Sequence, residues 1–302
     1  MKYSKFITVG SIGICIALTS FGATESAPAT TPDVALMNVA KSIGNNEPGA
    51  IFKALPASYQ KEISSVISEA ATKMDAELWA EGRGLIKSLV NIAKTKKDLL
   101  LQTQMMADVK DKVAFSKSWD DGVAMLETIL ANDITNLEKL RKGDVNSLLV
   151  NASEIMKKFS ALYSDQADKD DDFLAKIKAL KVTVISQEGD KATVKIETVG
   201  EEPENEEMVR VEGKWIPKDL AEGFAEGIKE ARKNIAEIDF TSEKGKAQKT
   251  QIMVQLTMVK TLLVQAESAT TPQQFDGMLM GIMMGVMSSG AGGMTPTPAP
   301  AQ

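Results

Sequence analysis

From Pro32 onward, apolar residues recur at three- and four-residue steps over most of the chain, the spacing that lines one face of a helix. Thr31-Pro32 predicts an N-cap followed by proline at the first helical position, with Gly44 as the stop. Asn45 to Gly49 reads as a turn, and Leu55-Pro56 opens a helix with Tyr59, Ile63, Val66, Ile67, Ala70 and Met74 on one side. Asp75 caps a longer helix carrying Leu78, Trp79, Leu85, Ile86, Leu89, Ile92 and Leu99. Ser118 with Asp121 predicts a capping-box start ahead of Val123, Leu126 and Leu130. Asp133 and Asp144 each precede another periodic run, the second reaching Tyr163 through Leu148, Ile155, Met156, Phe159 and Leu162. Amphipathic helices on short connections are the mark of a bundle.

Asp165 to Asp172 is a charged break, after which the period changes. Lys181 to Ser186, Lys191 to Val199 and Met208 to Glu212 are short and rich in β-branched residues. In the second, Ala192, Val194, Ile196 and Thr198 alternate with Thr193, Lys195 and Glu197, which predicts one buried and one wet face. Gln187 to Asp190 supplies a turn and Gly200 to Glu206 an acidic loop. The expectation is a three-stranded antiparallel meander closed by Trp215, Ile216 and Pro217, its single apolar face covered by helices. Helix resumes with Leu220, Phe224, Ile228, Ala231 and Ile235, then with Ile252, Leu256, Val259, Leu263 and Ala266. Thr271-Pro272 starts a last helix, and a Gly/Pro/Thr/Ala tail follows from Gly290. The fold class is therefore α+β and predominantly α: a helical bundle over 32–166, then the meander with C-terminal helices over 167–289, and a disordered tail over 290–302.

The first thirty residues change the setting. Lys2 and Lys5 precede an apolar stretch from Phe6 to Leu18 and the small residues of Ser20-Phe21-Gly22, the order of a secretory signal over 1–22. Cleavage is expected before Ala23, with 23–31 as a linker. The apolar stretch is short for a bilayer span, so removal is favoured over a retained anchor. A lipoprotein needs a small residue before its cysteine, and Ile14 precedes Cys15. The expected location is the periplasm or the extracellular medium. Without the leader, 33 basic residues face 41 acidic ones, a net charge of −8. Such a chain repels phosphate backbones, so nucleic acid is not an expected partner.

Histidine is absent and Cys15 is the single cysteine. A Ser-His-Asp or Cys-His relay lacks its base, and a conventional zinc site lacks nitrogen and sulfur ligands. Neither a phosphate-binding GxxxxGK[ST] loop nor a GxGxxG turn between strand and helix occurs. Asp168, Asp170 and Asp172 alternate like the first ligands of a calcium loop. Phe173 stands where that loop needs glycine, and Ala179 where it needs glutamate, so the segment reads as a solvated break. Glu201, Glu202, Glu204, Glu206 and Glu207 read as a solvated connection. A carboxylate pair for hydrolysis remains open, because such pairs form in space. Trp79, Trp119 and Trp215 are expected core anchors, with a ligand cleft between bundle and sheet as the functional alternative.

The remaining chemistry concentrates near the C-terminus. On a helix, Gly277, Gly281 and Gly285 share one side, and Leu279, Ile282 and Val286 a second. Met280, Met283, Met284 and Met287 share a third. Glycines at that spacing admit another backbone, which suits docking on a neighbouring helix, self-association or a protein partner. A membrane surface is a further candidate for so apolar a helix. The thioethers read as adaptable packing, with a soft-metal site for Cu(I) as the sharper alternative.

Leu55-Pro56-Ala57-Ser58-Tyr59-Gln60, Lys73-Met74-Asp75-Ala76-Glu77-Leu78-Trp79 and Gly213-Lys214-Trp215-Ile216-Pro217 together resemble a family of uncharacterised exported bacterial proteins, and Gln273-Gln274-Phe275-Asp276 continues the likeness. That resemblance implies export and no assigned activity. The strand–Gly–Lys–Trp ending also resembles, over about forty residues, the last strands of nuclear-transport-factor-2-like domains, which are cone-shaped α+β folds. The functional expectation is an exported, non-enzymatic binding or scaffold protein without a cofactor. Its contact surface is the Gly/Met helix. A Cu(I) or small apolar ligand carrier and a carboxylate-based hydrolase are the alternatives.

Overall fold

Side-chain caps set many of the helix boundaries in the computed structural model, which describes residues 31–47, 49–107, 109–164, 173–278, 280 and 281. Helix α1 is Pro32–Gly44, α2 Gly49–Ala54 and α3 Ala57–Lys73. Asp75 Oδ1 accepts the N–H groups of Glu77 and Leu78, both at 3.0 Å, and starts α4 (Ala76–Thr95). A separate short α5 (Lys97–Leu101) holds Leu99, which the periodicity had continued into α4. Helix α6 (Lys112–Ala131) begins well before the expected capping box: Asp111 Oδ1 takes the N–H groups of Val113 and Ala114, leaving Ser118 and Asp121 in the interior. The cap that wins is the one that meets the first free N–H groups. Asn136 caps α7 (Leu137–Lys142), and Asp144 caps α8 (Val145–Ser164) through the N–H and hydroxyl of Ser147. Helix α9 is Phe173–Ala179. The expected leader, the charged break with Asp168, Asp170 and Asp172, and the expected tail from Gly290 lie outside the described residues.

The architecture is α+β and mostly helical, with four strands where three were expected. Strands β1 (Lys181–Glu188), β2 (Lys191–Glu197), β3 (Glu204–Val211) and β4 (Lys214–Pro217) form one antiparallel sheet in sequence order. The residues expected to close the sheet pair within it: Arg210 faces Trp215 and Met208 faces Pro217. Glu212 at φ 50° and Gly213 at φ 77° make the two-residue turn between them. A glutamate rarely adopts that backbone. Its carboxylate accepts the N–H of Ser58 at the start of α3, which ties the turn down, and hydrogen bonding first from the Ser58 side chain and then from that N–H lowers the Glu212 pKa.

The sheet is also covered on both faces, not one. Ala192, Val194, Met208 and Trp215 lie on one face and pack against Ala35 and Leu36 of α1. Val209, Val211 and Ile216 point the other way, onto Phe52, Leu55, Val145, Leu149 and Leu220. Burying a Val, Leu or Met side chain contributes about 1.5–3 kcal/mol, so the second layer is a substantial part of the core.

Helix α10 is Lys218–Ala236 and α11 is Glu243–Ser268; α12 covers residues 272–278, 280 and 281. The chain divides into two compact units, each built from two stretches. The first joins Met1–Met74 to Ala131–Ile238 and holds the sheet. Within it α3 meets α10: Tyr59 stacks on Phe224 at 3.6 Å, and Arg232 reaches Glu62 at 2.8 Å and Glu69 at 3.3 Å. The second unit joins Asp75–Leu130 to Asp239–Gln302. There α4 and α11 run parallel, because their partners climb together. Lys249 binds Asp75 and Glu77, Asn91 binds Glu267, and Lys96 binds the carbonyl of Ala269. Ile92, Leu100, Met106, Leu263, Ala266, Ala269 and Phe275 form the core of this unit.

Candidate contact surface

Helix α11 carries two apolar stripes, and its packing uses one. Val259, Leu263 and Ala266 face the core of the second unit. Thr250, Met253, Val254, Thr257, Met258, Thr261 and Leu262 form the other stripe, at steps of three and four, and line a shallow groove of about 510 Å3. Val254 is 58% exposed and Met258 62%.

The three threonines make this stripe apolar. Thr250 Oγ1 donates to the carbonyl of Lys246 at 2.9 Å, Thr257 Oγ1 to that of Met253 at 2.8 Å, and Thr261 Oγ1 to that of Thr257 at 2.9 Å. A hydroxyl that donates four residues back is held along its own helix, so the γ-methyl is the part left to meet a neighbour. The stripe contains no charged residue. Of the neighbouring lysines, Lys249 is held by Asp75 and Glu77, and Lys260 by Glu81 at 3.0 Å. The surface is therefore uncharged thioether and methyl, the composition of adaptable apolar contacts.

Helix α12 turns back over α11 and reaches one end of the stripe. Phe275 is 3% exposed and anchors it in the core, with Met278 packed alongside. Asp276 Oδ2 accepts the N–H of Gln104 at 2.9 Å, and Gln274 N–H donates to Thr271 Oγ1 at the helix start. A β-carbon at Gly281 would stand 3.9 Å from Leu262 Cδ2, an ordinary van der Waals distance, so α12 passes beside Leu262 with room for a small side chain at this position. Gly277 has no such neighbour within 4 Å, and Met280 is 62% exposed. Of the residues singled out in the sequence, Gly281 and Met280 thus lie at or beside a helix contact and Gly277 faces open space. Gly285, Met283, Met284 and Met287 lie outside the described residues. The α11 stripe was missed because threonine counts as polar in a periodicity reading. Its signal was there: Met253, Val254, Met258 and Leu262 interleave with threonines at helical spacing.

Other candidate chemistry is dispersed. Among the described residues, no group of three or more His, Cys, Asp or Glu side chains could hold a metal ion. Met253, Met258 and Met280 are thioethers available to a soft cation. Glu206 pairs across the sheet with Val194; partial burial, then the negative charges of Asp219, Glu204 and Glu207, push its pKa up. Trp215 is buried, and its indole N–H has no hydrogen-bond partner. Trp119 Nε1 donates to the carbonyl of Ala93 at 2.8 Å, and its ring packs against the second core. Trp79 is half-buried.

No family model, no curated protein and no solved structure matches the chain. Among the described residues, no helix is long and apolar enough to cross a membrane.

Proposed function

We infer that this is an exported, non-enzymatic binding or scaffold protein whose contact surface combines the uncharged stripe of α11 with the Gly/Met run that leaves α12. The observation that carries this reading is the solvent-facing row of Val254 and Met258 between threonines whose hydroxyls are already committed to their own helix. An apolar row of this kind gains little from water and much from a partner's side chains. Export is supported by the leader-like residues 1–22, and a contact role by the lack of histidine and of any cysteine beyond Cys15.

A photo-crosslinking residue at Met258, in cells producing the full chain, tests the reading. Adducts to another protein are expected at 258, and Val254→Asp should abolish them. Equal adduct yield from the same probe at the exposed Lys244, in the first turn of α11, would overturn it. A second reading is a carrier of Cu(I) or of a small apolar ligand, favoured by Met253 and Met258 lining a groove of about 510 Å3. Its test is Cu(I) uptake by the purified chain against a competing chelator; no uptake counts against it.

A further inference from the structure

Strand β1 is an edge of the sheet, and among the described residues no strand lies on its outer side. The backbone groups along such an edge are a template for another strand. Arg210 N–H donates to the carbonyl of Asp190 at 2.8 Å, so Asp190 and Ala192 turn to β3, while Lys191, Thr193 and Lys195 turn to β1. Their partners Glu188, Ser186 and Thr183 therefore point inward, and Gln187, Val184 and Val182 present N–H and C=O outward. Ile185 is bulged out of the register, which leaves seven paired positions from Lys181 to Glu188 with Val184 at the centre.

The two halves of that row match each other. Outward-turned Val182 and Gln187 are each two positions from Val184, the hydroxyls of Thr183 and Ser186 one position away, and Lys181 and Glu188 close the ends. A copy laid antiparallel about a two-fold through Val184 thus sets outward groups on outward groups and lysine on glutamate. Across the joined sheets the end positions run Glu197, Lys181, then Glu188 and Lys191 of the copy, alternating in sign. A parallel, in-register copy would set Lys181 on Lys181 and Glu188 on Glu188. Lys181, Thr183, Ser186 and Glu188 are exposed, and Ile185 is 53% exposed. A bulge deters an unrelated straight strand. In the two-fold pair the copy carries the same bend, and the two Ile185 side chains lie diagonally across the axis.

We propose that a second copy of this chain docks on this edge, β1 against β1 in that register, joining two four-stranded sheets into one. Main-chain hydrogen bonds at Val182, Val184 and Gln187 supply the attraction, and the end charges fix the register. The pairing uses the first unit and owes nothing to the α11 stripe, so a failure of adducts at Met258 leaves it standing.

The test uses the full chain with Cys15→Ser, so that only introduced thiols react. Chains carrying Lys181→Cys and chains carrying Glu188→Cys, told apart by mass, are mixed and oxidised. The register sets 181 opposite 188 at a non-hydrogen-bonded position, with Cα atoms about 4.5 Å apart, within disulfide range. Like positions fall about 20 Å apart, at opposite ends of the pair. The mixed 181–188 disulfide is expected in at least about tenfold excess over either like-with-like product. A statistical mixture, an excess of like pairs or no disulfide would overturn the pairing. Gln187→Pro in the same chains removes an outward N–H and leaves the β2 ladder intact. It should cut the mixed product about tenfold while exchange protection of β2 and β3 persists; an undiminished yield would overturn the proposal as well.

Discussion

Gly245 stands where α11 leaves its incoming turn, and an alanine there has no room. A β-carbon at 245 would lie 1.8 Å from the carbonyl oxygen of Asp239 and 2.9 Å from the Cα of Phe240. A carbon–oxygen contact needs about 3.3 Å, so one strand of backbone must retreat by about 1.5 Å. Both sides are tied. Gly245 N–H donates to Ser242 Oγ at 3.2 Å, and Asp239 Oδ1 accepts from the N–H and hydroxyl of Thr241 at 2.8 and 2.6 Å. Overpacking of this kind costs about 1–3 kcal/mol, and losing the serine cap adds about 1 kcal/mol. Against them stands the higher helix propensity of alanine, about 1 kcal/mol. Gly245→Ala is therefore expected to destabilise the start of α11 by roughly 1–3 kcal/mol. Urea unfolding of the full chain, with hydrogen exchange along Glu243–Ser268, measures it. An alanine variant about 1 kcal/mol more stable than the parent would show that propensity alone decides the site, and the steric reasoning would be wrong.

Thr257→Val with Thr261→Val should leave stability within about 0.5 kcal/mol and preserve adducts at Met258, since it removes only hydroxyls already turned inward; loss of the adducts would mean the hydroxyls make the contact. Phe275→Ala, at a position 3% exposed, should cost α12 about 3–5 kcal/mol of local stability and strip exchange protection from residues 272–278. Unchanged protection there would refute its role as anchor. Asp239 is pushed down to about 2, first by the Thr241 hydroxyl and N–H and then by Ser242. Its folded pKa lies below the unfolded carboxylate value, so its contribution is complete above that value and is lost as pH falls through about 2. A carboxyl-carbon NMR titration of Asp239 with a midpoint near the ordinary aspartate value would contradict the turn geometry.

What was legible in the residues was local. Asp75 and Asp144 cap helices as their positions ahead of apolar runs indicated, and alternation at Ala192, Val194 and Ile196 marked the face that meets α1. The fourth strand was hidden because Lys214–Pro217 is short and because its turn asks a glutamate to take a left-handed backbone. The capping box at Ser118 misled because Asp111 offers an equivalent acceptor at the earlier, uncapped N–H groups. At the candidate contact surface, the Gly/Met run was visible as a pattern, whereas the α11 row beside Gly281 was not.

By itself the sequence determined the helix-rich α+β class, several helix starts and the absence of any histidine-based chemistry, because caps, periodicity and composition act within a few residues of themselves. Tertiary structure alone decided that Asp75–Leu130 joins Asp239–Gln302 and that α4 and α11 lie parallel. It also decided which face of α11 stays open, through a core that takes Leu263 and Ala266 and leaves Val254 and Met258 in water. Those outcomes depend on residues more than a hundred positions apart meeting, and a spacing rule that sees two turns of helix has no access to them.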